Sequence, residues 1–168
     1  MNAGRLVGIA GFVVVALFAA FWIGATIWYF GDENPDRLED REWVAGAEAL
    51  CAQVRDQLER LPAARDAVDL ADRADQIEAS TAVLAGMTAN LAAATPEGDD
   101  GELLGLWLGS WDVYLDDRRA HAEALRAGDD LQFRVSVDPE RNEGVDALLD
   151  AFADRNQMPS CGDPLDIG

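Results

Sequence analysis

The side chains that most often carry out catalysis are sparse in this chain. It has one histidine, His121, and four serines, none of which stands in a Gly-x-Ser-x-Gly turn. A single histidine without cysteine or histidine neighbours at ligand spacing is a poor start for a zinc site. The 32 Asp and Glu residues are too many to single out one acid–base pair. We therefore expect no catalytic residue, no metal site and no cofactor, and an enzyme with a carboxylate pair is the least favoured class.

One row of aromatic and cationic side chains recurs at helical spacing in the second half of the chain. Its members step by four, three, four and three residues and share one helix face: Trp107, Trp111, Tyr114, Arg118 and His121. Because tryptophan, tyrosine and arginine are enriched in binding hot spots, the row is a candidate interaction face. Such a row is also typical of a helix core, which is the interpretation we favour. Arg118 would then pair with aspartates near it in sequence, namely Asp112, Asp116 and Asp117.

Two acidic clusters hint at calcium-binding loops, and the second resembles the first half of an EF-hand. They lie at 99–102 and at 138–142. In the second cluster Pro139 occupies position 2, Glu143 stands where a glycine is needed, and Leu149 replaces the bidentate glutamate. The match is poor, so a divalent-cation or small-ligand binding module is kept only as the alternative function.

Two cysteines, Cys51 and Cys161, can form one disulfide if the domain that carries them is exported. The bridge would fasten the C-terminal tail to the first predicted helix. It would close a loop of more than 100 residues, which contributes about 4–5 kcal/mol in the chain-entropy model. No Cys-x-x-Cys spacing occurs, and this argues against thioredoxin-like redox chemistry.

An uncharged apolar run covers residues 6–30 and ends in Trp28, Tyr29 and Phe30. A helix of this length exceeds the ~30 Å hydrocarbon core of a bilayer, and aromatic rings suit the headgroup level at its end. The run is too long for a secretory signal, and no Ala-x-Ala cleavage pattern occurs in its distal half, where Gly24-Ala25-Thr26 comes closest. We therefore predict an uncleaved signal anchor that follows a cytoplasmic tail at 1–5.

The orientation of the anchor is predicted from nearby cations and from the cysteines. Arg5 abuts the run on one side, whereas Arg37 and Arg41 follow it on the other, so the positive-inside count is nearly balanced. The cysteine pair favours an oxidising space for residues 31–168. We expect a single-pass protein of a bacterial cytoplasmic membrane, with its N terminus inside and its acidic domain outside.

The net charge of −19 at pH 7 limits which partners the protein can attract. A surface this acidic repels nucleic acid and anionic headgroups. Cations and basic partners remain as electrostatic attractions, although acidic surfaces also simply promote solubility. We expect no nucleic-acid partner.

Four amphipathic helices are predicted after the apolar run. Apolar residues recur at steps of three and four within 35–61, 62–94, 102–127 and 143–156. Asn34–Pro35–Asp36 would begin the first helix, and Gly128 would end the third. Three long helices and one short helix with short connections predict a mainly α fold, an antiparallel bundle behind one transmembrane helix.

One short segment, 131–137, breaks this helical pattern. Leu131, Phe133, Val135 and Val137 alternate with polar residues, which indicates extended backbone. A single strand would have no strand partner within the chain, so it either packs as a strap over the bundle or pairs with another molecule. Phe133 and Val135 are therefore candidate interaction residues.

These observations favour a structural or protein-interaction module over the two alternatives above. Catalytic motifs are missing, while an anchor, a disulfide and a patterned bundle are predicted together. We therefore expect a protein partner.

Overall fold

The computed structural model describes residues 15, 18–24 and 37–167. The chain divides after Pro35 into two units. In the first unit the described residues are helical and their large apolar side chains are exposed. No helix within the described residues is long and apolar enough to cross a membrane. Most of the predicted span at 6–30, the tail at 1–5 and the predicted cap at 34–36 lie outside the described residues.

The second unit is a mainly helical bundle, as predicted. Its helices are α1 (Arg41–Leu58), α2 (Leu70–Ala93), α3 (Asp99–Arg126) and α4 (Val145–Asn156). The third helix lies centrally and packs against both α2 and α4, while α1 packs against α2. This arrangement places the aromatic row of α3 at the centre of the unit.

The first two helices begin later than predicted because aspartate side chains cap them. The Oδ1 atom of Asp40 accepts hydrogen bonds from the backbone N–H groups of Glu42 and Trp43, at 3.1 and 2.8 Å. Asp69 accepts in the same way from Asp72, at 2.8 Å. Such caps satisfy amides that have no partner within the helix. Helix over residues 37–40, which the prediction included, is therefore wrong, as is the predicted start at 62, and residues 64–66 form a separate 3-10 turn.

The predicted start of the third helix at 102 is also wrong, because α3 begins at Asp99 after Gly98, whose φ is +88°. Its end agrees with the prediction. Gly128 follows the last turn with a φ of +93°, a conformation that glycine adopts without steric cost.

The extended segment, defined as residues 131–136, leads into a small hairpin. Strand β1 (Val137–Asp138) pairs antiparallel with β2 (Glu143–Gly144), with Val137 opposite Gly144. The prediction that this stretch has no strand partner in the chain is therefore wrong at its final residue. The pairing also explains why α4 begins at Val145 rather than at 143.

A disulfide joins Cys51 of α1 to Cys161, which lies in a 3-10 turn at Pro159–Cys161. The predicted bridge is confirmed. Both cysteines are fully buried within the main core, and their Cα atoms are 5.2 Å apart. The bridge holds the C-terminal residues against the first helix.

Candidate interaction site on the third helix

The aromatic and cationic row of α3 is buried, as the core interpretation predicts. Exposed fractions are 8% or lower for all five members: Trp107, Trp111, Tyr114, Arg118 and His121. Trp107 stacks on Phe152 of α4 with ring centroids 5.1 Å apart. The row therefore packs the bundle and does not present an open face.

Arg118 is fully buried, and its charge is compensated by a residue distant in sequence. Its NH1 and NH2 atoms donate to the two carboxylate oxygens of Asp166, at 2.6 and 2.8 Å. The expected pairing with a neighbouring aspartate of α3 is wrong, because those side chains lie on other faces of the helix. Burial alone lowers the pKa of Arg118, but Asp166 outweighs it and the pKa is raised. Burial likewise acts to raise the pKa of Asp166, yet the guanidinium holds it below its ordinary value.

Hydroxyl groups complete this buried network. Ser80 and Thr81 of α2 accept from the Arg118 guanidinium, at 2.6 and 2.9 Å. The phenol of Tyr114 donates to Asp163 at 2.6 Å, and burial is the largest cause of its raised pKa. The two tail aspartates are residues that sequence reasoning missed. They lie 48 and 49 residues from their partners in sequence, so no local spacing pointed to them.

His121 lies at the end of the same row, 8% exposed. Its ring centroid is 5.5 Å from that of Phe133. Burial lowers its pKa, nearby Arg73 lowers it further, and Asp130 opposes the shift. The ring is therefore held toward its neutral form, which suits a packing role beneath the extended segment.

The extended segment lies against α3 through Phe133 and Ser136, whereas Leu131 is 66% exposed. The Phe133 ring meets the edge of Tyr114 at 6.0 Å, and Phe133 and Val135 are partly buried against the core. The backbone N–H and the hydroxyl of Ser136 donate to the carboxylate of Asp117, at 2.6 and 2.7 Å. The side chains thus act as the predicted strap.

The backbone of this segment is only partly hydrogen-bonded. Ser136 accepts from the N–H of Val145, at 3.0 Å. The peptide groups of residues 132–135 make no hydrogen bond to any group of the described residues. The structure therefore brings Phe133 onto the buried row and Val135 against the core, while the backbone of both residues has no hydrogen-bond partner among the described residues.

A groove of about 250 Å³ opens between α3, α4 and the hairpin. Apolar side chains form much of its lining, including Leu103, Leu106, Trp107, Leu148 and Phe152. Charged side chains line it as well, namely Arg141, Glu143 and Arg155. Leu106 is 66% exposed, so the groove is continuous with an apolar part of the surface of α3. The sequence had not singled out this groove.

The two acidic clusters use carboxylates to hold backbone amides. Asp100 accepts from the N–H groups of Glu39 and Asp40, and Asp138 accepts from those of Glu140 and Arg141. Within residues 15, 18–24 and 37–167, no group of three His, Cys, Asp or Glu side chains is arranged to hold a metal ion. Comparisons with protein-family models, curated proteins and solved structures found no match.

Proposed function

We propose that this protein is a membrane-anchored helical domain that binds another protein through its extended segment. The observation that carries the proposal is the backbone of residues 132–135, which makes no hydrogen bond to the described residues while Phe133 and Val135 pack against the core. Backbone donors and acceptors in extended conformation are a template for an added strand.

The anchoring of the side chains makes this template ready to bind. Phe133 and Val135 pack inward, and Ser136 is held at both ends of its peptide by Asp117 and Val145. A partner strand would therefore meet backbone that is already ordered, and less conformational entropy would be lost on binding. Gln132 and Arg134 are exposed on the outer side, where they would contact alternate side chains of the partner.

The charge around the segment favours a basic partner. Asp129 and Asp130 are exposed immediately before it in sequence, and the whole chain carries −19. Arg134 is the one cation within the segment. An extended peptide with apolar and basic residues in alternation suits this surface, because electrostatic complementarity speeds encounter and fixes register.

The apolar run at 6–30 supplies the membrane anchor in this proposal. Of this run, residues 18–24 are helical, and the large apolar side chains described there are more than half exposed: Phe18, Phe21, Trp22 and Ile23. A continuous exposed apolar surface marks a membrane or protein contact. The disulfide favours an oxidising compartment for the acidic domain, outside a bacterial cytoplasmic membrane. Arg41 is one of the two cations that follow the run. Its side chain donates to the backbone oxygen of Asn156, so it also stabilises the fold.

Two variants at one position test the binding proposal. Val135→Ala loses side-chain packing but keeps the backbone N–H, whereas Val135→Pro loses the N–H as well. After crosslinking in native membranes, we expect Val135→Ala to retain the crosslinked partner and Val135→Pro to lose it. Thermal melting of both variants serves as the control. If both variants retain the crosslinked partner, or if loss of the partner simply accompanies a lower melting temperature, the segment is not part of the interface.

Protease treatment of intact cells tests the anchor and its orientation. If the acidic domain lies outside, added protease should degrade it while a cytoplasmic control protein survives. A domain that is degraded only after the membrane is opened would reverse the orientation. Extraction of the full chain by alkaline carbonate would contradict the anchor itself.

A further inference from the structure

A titratable side chain, His121, is buried beneath the extended segment. It is 8% exposed, and its ring lies against that of Phe133, with the centroids 5.5 Å apart. The Nε2 atom of His121 is buried and has no hydrogen-bond partner among the described residues. A neutral imidazole leaves one neutral group unused in this position, whereas an imidazolium donates from both nitrogens and would bury a charged donor without an acceptor. The position of the segment in the structure therefore suits the neutral ring.

Two charged side chains from outside α3 act on this ring. Arg73 of α2 opposes protonation of His121, and Asp130, which precedes the segment, favours it. The two side chains form a loose ion pair with each other, with an N–O distance of 3.6 Å. Burial, the largest influence, and Arg73 together outweigh Asp130, so the pKa of His121 is lowered. A proton on the ring is thus disfavoured while the segment covers it.

The charged side chains one turn before His121 on α3 already have partners. The carboxylate of Asp117 accepts from the backbone N–H and the hydroxyl of Ser136, at 2.6 and 2.7 Å. The guanidinium of Arg118 is paired with Asp166 of the tail. Both charges therefore serve contacts that hold the segment or the tail in place.

Few contacts hold the extended segment on α3. Its peptide groups at 132–135 make no hydrogen bond to any described residue, and Gly128, with a φ of +93°, lies three residues before it. Elements with few backbone hydrogen bonds open at a lower free energy than the core of a domain. Removal of Phe133 from α3 would give the ring of His121 access to water without opening the bundle.

We propose that protonation of His121 releases the extended segment from α3, so that the segment is docked in neutral solution and lifted in mildly acidic solution. In the lifted state the ring contacts water and binds a proton near its ordinary pKa of 6.5, whereas the docked state binds one only at lower pH. A decrease in pH below 6.5 therefore shifts the population towards the lifted state. Capture of a partner by the docked segment, which rests on the function proposed above, would weaken in acid.

A spin label on the outer side of the segment tests the movement in the full chain, held in nanodiscs. The native cysteines are bridged, so Arg134→Cys adds one thiol for a nitroxide label, and Gln53→Cys on α1 is the control. At pH 7.5 the electron paramagnetic resonance spectrum at position 134 should show restricted motion. As the pH falls from 6.5 to 5.5, a fast-moving fraction should grow at position 134 and not at position 53. No partner is present, so this outcome is independent of the binding proposal.

Variants of the ring and of its two charged neighbours test whether His121 is the group that titrates. His121→Gln and His121→Leu cannot titrate and should abolish the spectral change at position 134. Arg73→Gln removes the opposing charge and should move the midpoint of the change to higher pH, whereas Asp130→Asn should move it to lower pH. Circular dichroism at pH 7.5 shows which variants retain the fold.

Several results would overturn the proposal. One is a spectrum at position 134 that does not change with pH, and another is the same change at position 53, which would indicate loosening of the whole bundle. The same change in a folded variant without His121 would assign the titration to another group. Midpoints that fail to move in opposite directions with Arg73→Gln and Asp130→Asn would contradict the proposal as well.

Discussion

Arg118 and Asp166 form a two-point ion pair between the middle of α3 and the C-terminal tail, with N–O distances of 2.6 and 2.8 Å. The arginine is fully buried, whereas the aspartate side chain is 22% exposed. Together with the disulfide and the Tyr114–Asp163 hydrogen bond, the pair makes the tail an integral layer of the bundle. The tail therefore stabilises the helix against which the extended segment packs.

Asp166→Asn should lower the free energy of unfolding by about 3 kcal/mol, because it leaves a buried guanidinium without its counter-charge. Chemical denaturation followed by circular dichroism measures the change. Asp116→Asn is the matched control, since Asp116 pairs with Arg119 at 2.7 Å but is 77% exposed. Its expected effect is below about 1 kcal/mol. Equal losses of unfolding free energy in the two variants would show that the buried pair contributes no more to stability than the exposed pair.

The disulfide should contribute to stability by constraining the unfolded chain. Replacing both cysteines, Cys51→Ser with Cys161→Ser, should cost about 2–4 kcal/mol, the range common for native bridges. Reduced wild-type protein should lose a similar amount. Titration of the unfolded, unreduced wild-type chain should find no free thiol, and finding two would refute the bridge.

The lowered pKa of His121 links stability to pH. The unfolded chain binds a proton near the ordinary value of 6.5, whereas the folded chain resists it to lower pH. The stability that depends on neutral His121 is therefore fully present above pH 6.5. It is lost as the pH decreases through 6.5 toward the lower pKa of the folded protein. Wild-type protein should melt at a lower temperature at pH 5.5 than at pH 7.5.

His121→Gln removes this titration and serves as the comparison. The chain has only one histidine, so no other histidine contributes in this window. We expect the melting temperature of the variant to change less between the two pH values. The same pH dependence in both proteins would assign the effect to other groups.

The sequence predicted what depends on local periodicity. The burial of Trp111 and Tyr114 follows from a single row at helical spacing, and the end of α3 follows from one glycine, Gly128. The disulfide was predictable because only two cysteines exist. The helical row and the glycine are local signals in the sequence, and two cysteines can pair with each other in only one way.

Features that depend on the path of the chain in space were not predictable. The partner of Arg118 is 48 residues away, and nearer aspartates offered equally good partners in the sequence. Strand β2 consists of Glu143 and Gly144, which carry no strand pattern, so the pairing of Val137 gave no local signal. The groove likewise arises only when α3, α4 and the hairpin come together.

Site-specific photo-crosslinking from the extended segment tests the central claim most directly. A photoreactive amino acid at position 134, which is exposed and outward-facing, is introduced into the full chain in native membranes. The same residue at position 53, exposed on α1, is the control. We predict one discrete adduct with a different protein from position 134 and none from position 53. Adducts only with the chain itself, or the same adduct from both positions, would contradict partner binding at the segment.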